Sequence, residues 1–372
     1  MIIYEEGSRV ARWSRLHKRL FHIVGPRLVH PRDGPRRLTN LLTCERSRRQ
    51  GRLEHPGRPY VLFTEISSVC QLRCPGCLSG QDGRHATFME LDRFRRLLDR
   101  FGPWLVDLEL YGWGEPFLNR SIFEMIALAK SRNLFVRTST NCNAFRQGDE
   151  ARLVETGLDQ LNCSLDGVTQ GTYGAYRIGA SLERSLEALR RLVDAKRRAG
   201  VRRPLIEWQM IISKKNQHEV DAVRTLAQQV GVDILRLDLP FSLMHIDQAD
   251  NPEATAEWIA DDPKYRRWAN AHAQGAWAFD CACSYLWTTL QVDATGQINP
   301  CPNRLGSQIQ LGDPLVEDVN TLWNQPFFTQ ARALFAPKAQ PPAGHHPCMA
   351  CKEFRQPWKA LPEVAAGGCG LV

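Results

Sequence analysis

Three cysteines within eight residues, Cys70-Gln-Leu-Arg-Cys74-Pro-Gly-Cys77, carry the most specific chemistry in the chain. Three thiolates on one short loop can hold three irons of a [4Fe–4S] cube and leave the fourth without a protein ligand. Iron–sulfur proteins that only carry electrons usually supply four cysteines. The loop therefore suggests an iron kept open for a substrate or cofactor. A zinc knuckle completed by a distant fourth ligand is the alternative. Downstream, Cys283, twelve residues, Gly296, four residues and Cys301 precede a distant Cys348-Met-Ala-Cys351. Four such thiols would close a second cluster, and tetrahedral zinc takes the same set. Twelve cysteines are many for an intracellular chain. The opening MIIYEEGSRV lacks a basic stretch followed by an apolar core, so a secreted disulfide framework is not expected. Cys142 and Cys163 read as buried structural thiols.

Other polar residues stand at strand ends. Tyr111-Gly-Trp-Gly114-Glu115-Pro116 combines glycines, which let backbone approach a ligand closely, with a carboxylate able to accept from an ammonium group. Ser139-Thr140-Asn141 and Ser164-Leu165-Asp166-Gly167 offer short polar side chains suited to ribose hydroxyls and a carboxylate. Each taken separately is equally a turn former. Tyr173-Gly-Ala-Tyr176-Arg177-Ile-Gly179 presents a guanidinium fork suited to a carboxylate. Gln209 lies in an otherwise apolar run and is a further candidate contact to cofactor or substrate.

The elements that must position these residues alternate regularly. Strands are predicted at 60–66, 105–111, 134–139, 159–165, 205–212 and 233–238, with helices at 89–101, 120–132, 149–156, 181–199 and 217–230. Six strands alternating with helices predict a parallel α/β sheet, open or curled into a partial barrel, with its chemistry beyond the C-terminal strand ends. Residues 241–280 read as a helical linker or lid. Residues 281–372 read as a small cysteine-bearing unit with a hairpin turning at Asp293–Gly296. Residues 8–24 predict an amphipathic helix within an arm over 1–59, and 25–59 reads as linker with one short helix at most.

A chain of 372 residues allows two or three domains, and 43% hydrophobic with 24% charged residues is ordinary for a globular protein. The net charge of +8 is concentrated in residues 1–60, with 14 Lys/Arg against 5 Asp/Glu. The body is therefore neutral and does not read as nucleic-acid-binding. The basic helix has the charge and apolar face for an anionic membrane surface. Packing on the open side of the barrel is the favoured alternative.

Together the CxxxCxxC and WGEP motifs resemble the radical S-adenosylmethionine (SAM) superfamily, over about residues 60–360. The resemblance implies a partial (β/α)6 TIM-like barrel. It also implies a [4Fe–4S] cluster on Cys70, Cys74 and Cys77, whose open iron chelates SAM. Gly114, Glu115, Ser139, Asn141, Ser164, Arg177 and Gln209 would then be cofactor contacts. Gly76 departs from the aromatic that many members carry there. The C-x12-G-x4-C and CxxC pattern resembles the SPASM/Twitch domain, implying a second auxiliary [4Fe–4S] cluster on Cys283, Cys301, Cys348 and Cys351. Pro357 stands where a full SPASM domain would carry its next cysteine, so the one-cluster Twitch form fits better; Cys281 and Cys369 are left over. The expected activity is radical oxidation of a small carbohydrate, lipid or natural product in the cytoplasm, with flavodoxin or ferredoxin as reductant. Peptide modification is the alternative, set second because residues 1–59 are too short for a leader-binding winged helix. A non-catalytic Fe–S or zinc protein binding nucleic acid comes third.

Overall fold

Buried strands must satisfy their backbone by pairing side by side, and the helices between them cover the apolar face that results. The computed structural model describes residues 1–5, 27, 32–79, 86–238, 258–265, 283–302, 309–336 and 346–350. Its strands are β1 (Ile2–Glu5), β2 (Val61–Thr64), β3 (Asp107–Glu109), β4 (Phe135–Thr140), β5 (Gln160–Ser164), β6 (Leu205–Ile211), β7 (Ile234–Asp238), β8 (Thr289–Val292) and β9 (Ile298–Asn299). Strands β2 to β7 are the six expected ones and pair in chain order, all parallel. The full order is β1-β7-β6-β5-β4-β3-β2-β8-β9. The two ends of that order do not pair, which makes the barrel partial.

The helices are α1 (Gly34–Gln50), α2 (Leu91–Phe101), α3 (Ile122–Ser131), α4 (Asp149–Glu155), α5 (Gln170–Tyr176), α6 (Leu182–Arg198), α7 (Val220–Val230), α8 (Tyr285–Thr288), α9 (Val319–Trp323) and α10 (Pro326–Phe335). Leu62, Leu108, Val136, Leu161, Trp208 and Leu235 alternate along the strands and are fully buried with Phe94, Leu97, Ile126 and Val223 of the helices. The other strand face, enclosed by the curl, is polar. There Gln160 donates to Glu207 at 2.6 Å and Asn162 to Gln209 at 2.5 Å, while Arg236 pairs with Glu207 at 3.0 Å and Asp238 at 2.9 Å. At the N-terminal end of the strands, Asp159 gathers Arg27, Lys130, Arg203 and the Val136 amide.

The N-terminal region differs from expectation. Residues 34–50 form a seventeen-residue helix rather than linker, with Pro in its first turn and Gly51 closing it at φ 61°. Arg37 explains why so basic a stretch packs. It is fully buried and donates to Gly102 O (3.0 Å), Arg132 O (2.9 Å) and Asn133 O (3.1 Å), carbonyls at the C-terminal ends of α2 and α3. A cation there meets the negative end of two helix dipoles and fills orphan acceptors. The amphipathic helix expected at 8–24 lies outside the described residues, as does most of 241–280. Among the described residues no helix is long and apolar enough to cross a membrane.

The C-terminal hairpin turns as expected: Asp293 Oδ1 accepts from Thr295 N (2.9 Å) and Gln297 N (3.1 Å), and Gly296 has φ 88°. Its first strand joins the barrel sheet, Val61 pairing with Thr289 in parallel register. Beside this joint, His55 is 2% exposed, its ring 4.5 Å from that of Trp323, with Nδ1 accepting from Gly57 N at 3.0 Å. Burial, with the Arg332 charge, lowers its pKa to about 4. The unfolded imidazole, titrating near 6.5, therefore binds more protons than the folded one between those values. This contribution is complete above pH 6.5 and is lost as pH falls toward 4. Urea unfolding should show about 3 kcal/mol lost from this group between pH 7 and 4, and His55→Gln should remove that part of the slope.

Candidate cofactor and metal site

The chain leaving β2 passes over the C-terminal strand ends, and there the three-cysteine loop meets the later motifs. Cys70 Sγ accepts from Leu72 N at 3.4 Å and faces Asn141 Nδ2 at 3.7 Å. Arg177 Nη1 reaches Cys74 Sγ at 3.8 Å, and Ser79 N reaches Cys77 Sγ at 3.4 Å. Gly76 takes φ 83°, the left-handed region, which bends the loop back on itself. N–H donors aimed at each sulfur favour the thiolate form that metal ligation requires. In the metal-free chain burial pushes the Cys70 thiol up to about 11, which ligation would reverse. Among the described residues no three His, Cys, Asp or Glu side chains close on one ion.

The WGEP loop is laid directly on the exit of β2. A Cβ on Gly112 would fall 2.5 Å from Glu65 Cγ, and one on Gly114 would fall 2.2 Å from Ser67 O. Glu115 N donates to Val69 O at 2.8 Å, and Trp113 N to Glu65 Oε1 at 2.8 Å. The Glu115 carboxylate is 2% exposed. It accepts from Thr140 Oγ1 (2.9 Å) and Phe117 N (3.2 Å) on Oε1 and from Asn141 N (2.8 Å) on Oε2. Both oxygens are thus taken by protein donors, and Glu115 staples the end of β4 to the loop. Burial outweighs these donors and raises its pKa to about 7.

Asn141 is the hub of this end: Oδ1 accepts from Gln71 Nε2 and Asn143 N, each at 2.9 Å. Arg177 Nε donates to Asp166 Oδ2 at 2.6 Å, and Asp166 Oδ1 accepts from Ile211 N at 2.7 Å. Burial disfavours the guanidinium charge, but Asp166 and Cys74 outweigh it and hold the Arg177 pKa well above its ordinary value. Cys70, Cys74, Cys77, Gly114, Glu115, Asn141 and Arg177 are therefore one constellation. Ser139, Ser164 and Gln209 stand apart from it on the enclosed face, in register Ser139↔Asn162 and Ser164↔Gln209.

Of the second cysteine group, Cys283 precedes α8 and Cys301 follows β9, and both act electrostatically on the Tyr285 hydroxyl. Cys348 lies on a short turn, Pro347–Ala350, its N–H donating to His346 Nδ1 at 3.1 Å. Cys351 lies outside the described residues, as do Cys281 and Cys369.

The radical SAM superfamily model matches residues 64–206, from β2 into β6. The chain carries a radical SAM domain. A second model, SPASM, an iron-sulfur cluster-binding domain, matches residues 281–352. The mycofactocin maturase MftC of Mycobacterium ulcerans is 23% identical over 317 residues, covering 80% of this chain and 84% of that protein. The Mycobacterium tuberculosis MftC is 25% identical, covering 80% of each. Among solved structures, Streptococcus suis SuiB bound to precursor peptide SuiA superposes with a TM-score of 0.57 at 13% identity, covering 74% of this chain and 67% of that one; this likeness concerns the fold.

As a radical SAM protein with a SPASM domain, the chain takes a [4Fe–4S] cluster, SAM and auxiliary iron–sulfur. Sequence reasoning missed Glu65, buried beneath the WGEP loop, whose signal was a lone carboxylate ending an apolar strand. It also missed Asp166 as the partner that holds Arg177 in place.

Proposed function

We propose that this radical SAM enzyme is a maturase that modifies a peptide or protein. The observation that carries the reading is the match to maturases over four-fifths of both chains. It displaces the expected carbohydrate or lipid substrate. Among the described residues the enclosed face offers hydrogen bonds and charge suited to amide groups, from Glu109, Arg137, Asn162, Gln209, Arg236 and Asp238.

In this reading Cys70, Cys74 and Cys77 hold the open cluster, and Cys283, Cys301, Cys348 and Cys351 the auxiliary one. Reduced by an external flavodoxin or ferredoxin, the cluster and SAM would supply a 5′-deoxyadenosyl radical for removing hydrogen from substrate; in a two-electron oxidation the auxiliary site would take the second electron as the substrate radical loses a proton. The protein's own part is positional. Arg177, fixed by Asp166, presents its fork to the SAM carboxylate. Gly112 and Gly114 let the loop lie directly against Glu65 and Ser67 at the exit of β2, and Glu115 and Glu65 fix that backbone beside the proposed SAM site. Ser139, Ser164 and Gln209 face the substrate side.

The test uses cells that lack this gene and are grown on deuterated amino acids, so that unmodified substrate accumulates. Reconstituted enzyme, SAM and reductant should move deuterium into 5′-deoxyadenosine from the peptide fraction. Transfer from the lipid or polar-metabolite fraction alone would reverse the assignment.

A further inference from the structure

Residues 258–265 lie between the two matched domains and belong to neither. They nevertheless return to the cofactor end of the barrel. Lys214 N, just past β6, donates to Trp258 O at 3.1 Å, and Asp262 N donates to Gln217 Oε1 at 2.8 Å. Lys214 Nζ also pairs with Asp261 at 3.2 Å, and Ala260 and Tyr265 are buried. The segment is therefore pinned at several points.

Its first residue makes the contact that matters. The Trp258 ring lies 5.5 Å from the Tyr176 ring at 67°, an edge-to-face pair. Tyr176 ends α5, and the Arg177 guanidinium carbon stands 5.0 Å from the centre of its ring. Cys74 and Cys77 both act on the Tyr176 hydroxyl. Neither ring is fully buried, so core packing does not account for the pair. Arg177 thus has three contacts: Nε with Asp166, Nη1 with the Cys74 sulfur, and its guanidinium carbon over the Tyr176 ring. The ring restrains the guanidinium at a third point, beyond the two contacts at its nitrogens.

We propose that Tyr176 and Trp258 form an aromatic clasp that orients Arg177 toward the carboxylate of SAM, so that the linker segment completes the SAM site. Both are positioning residues, and the inference rests on reading Arg177 as the carboxylate partner.

The experiment measures equilibrium binding of two probes, SAM and decarboxylated SAM, to anaerobically reconstituted full-length protein, with iron content determined alongside. Wild type should bind SAM at least about tenfold tighter than the decarboxylated probe. Tyr176→Leu and Trp258→Leu should each weaken SAM about tenfold, leave decarboxylated SAM within about twofold, and keep full iron. Tyr176→Phe and Trp258→Phe should restore SAM affinity. Leucine variants that bind SAM like wild type overturn the clasp, and so does equal weakening of both probes, which marks general damage. A wild type that does not discriminate between the probes overturns the Arg177 assignment, and the clasp with it.

Discussion

Replacing Cys70, Cys74 and Cys77 together by Ala should abolish 5′-deoxyadenosine formation and take the reconstituted protein from about eight irons per chain to about four. The residual four would sit on the second cysteine group, whose described members Cys283, Cys301 and Cys348 lie on other elements. The fold should survive, because all three sulfurs of the first loop are only partly buried and their loss opens no core cavity. Chain positions that stay fixed without the sulfurs, such as Arg73 N donating to Ile178 O at 3.0 Å, tie the loop to Arg177's segment independently. The measurements are iron and sulfide content and chromatography of the nucleoside product under strong reductant. Full iron in the triple variant would contradict the ligand assignment. Four irons and one zinc in the wild type would place zinc on the second group and remove the electron acceptor that an oxidation needs.

What the sequence made legible here is local. β2 to β7 and the helices between them follow from apolar periodicity, and the hairpin at Asp293–Gly296 follows from turn chemistry. The cysteine and WGEP motifs were readable because their chemistry needs fixed residue types at short spacing. Pairings across long separations were not readable. Ile2–Glu5 falls within the expected N-terminal arm, yet it pairs with β7 more than two hundred residues on. Gly34–Gln50 looks like basic linker because its buried face is lined by Arg37 and Asn40 rather than by leucines, and their partners are backbone carbonyls that no pattern announces. The auxiliary unit reads as separate, but β8 completes the barrel edge beside β2. The same limit applies to the site. Glu115 reads as a ligand group, and its hydrogen bonds to Thr140 and Asn141, one strand further on, add a staple that the sequence does not announce. The small-molecule substrate finds no support in the comparisons, and the peptide alternative is the better supported of the two.

Glu115→Gln should separate stability from function. In the metal-free chain burial raises the Glu115 pKa to about 7 from an ordinary 4.5. Between those values the folded chain binds more protons than the unfolded one, so wild-type stability falls as pH rises through the window, by up to about 3 kcal/mol from this group. A glutamine carries no charge to bury and should not show that fall. Above pH 7 the variant should therefore resist urea at least as well as wild type, with the two curves diverging between pH 5 and 8. Function should move the other way. The carboxylate accepts three donors, from Thr140, Phe117 and Asn141, while an amide has one oxygen and turns an N–H toward at least one of them. Of that trio the Asn141 amide is the one tied to the three-cysteine loop, because its side chain also accepts from Gln71 and meets Cys70. Displacing it shifts the Cys70–Cys77 loop proposed to hold the open iron, and SAM binding should weaken about tenfold with iron content intact. A variant that loses stability at pH 8 while keeping SAM affinity would show that the hydrogen bonds outweigh burial and that the staple serves the fold alone. The opposite pattern means that a costly buried charge is kept because the cofactor site requires its geometry.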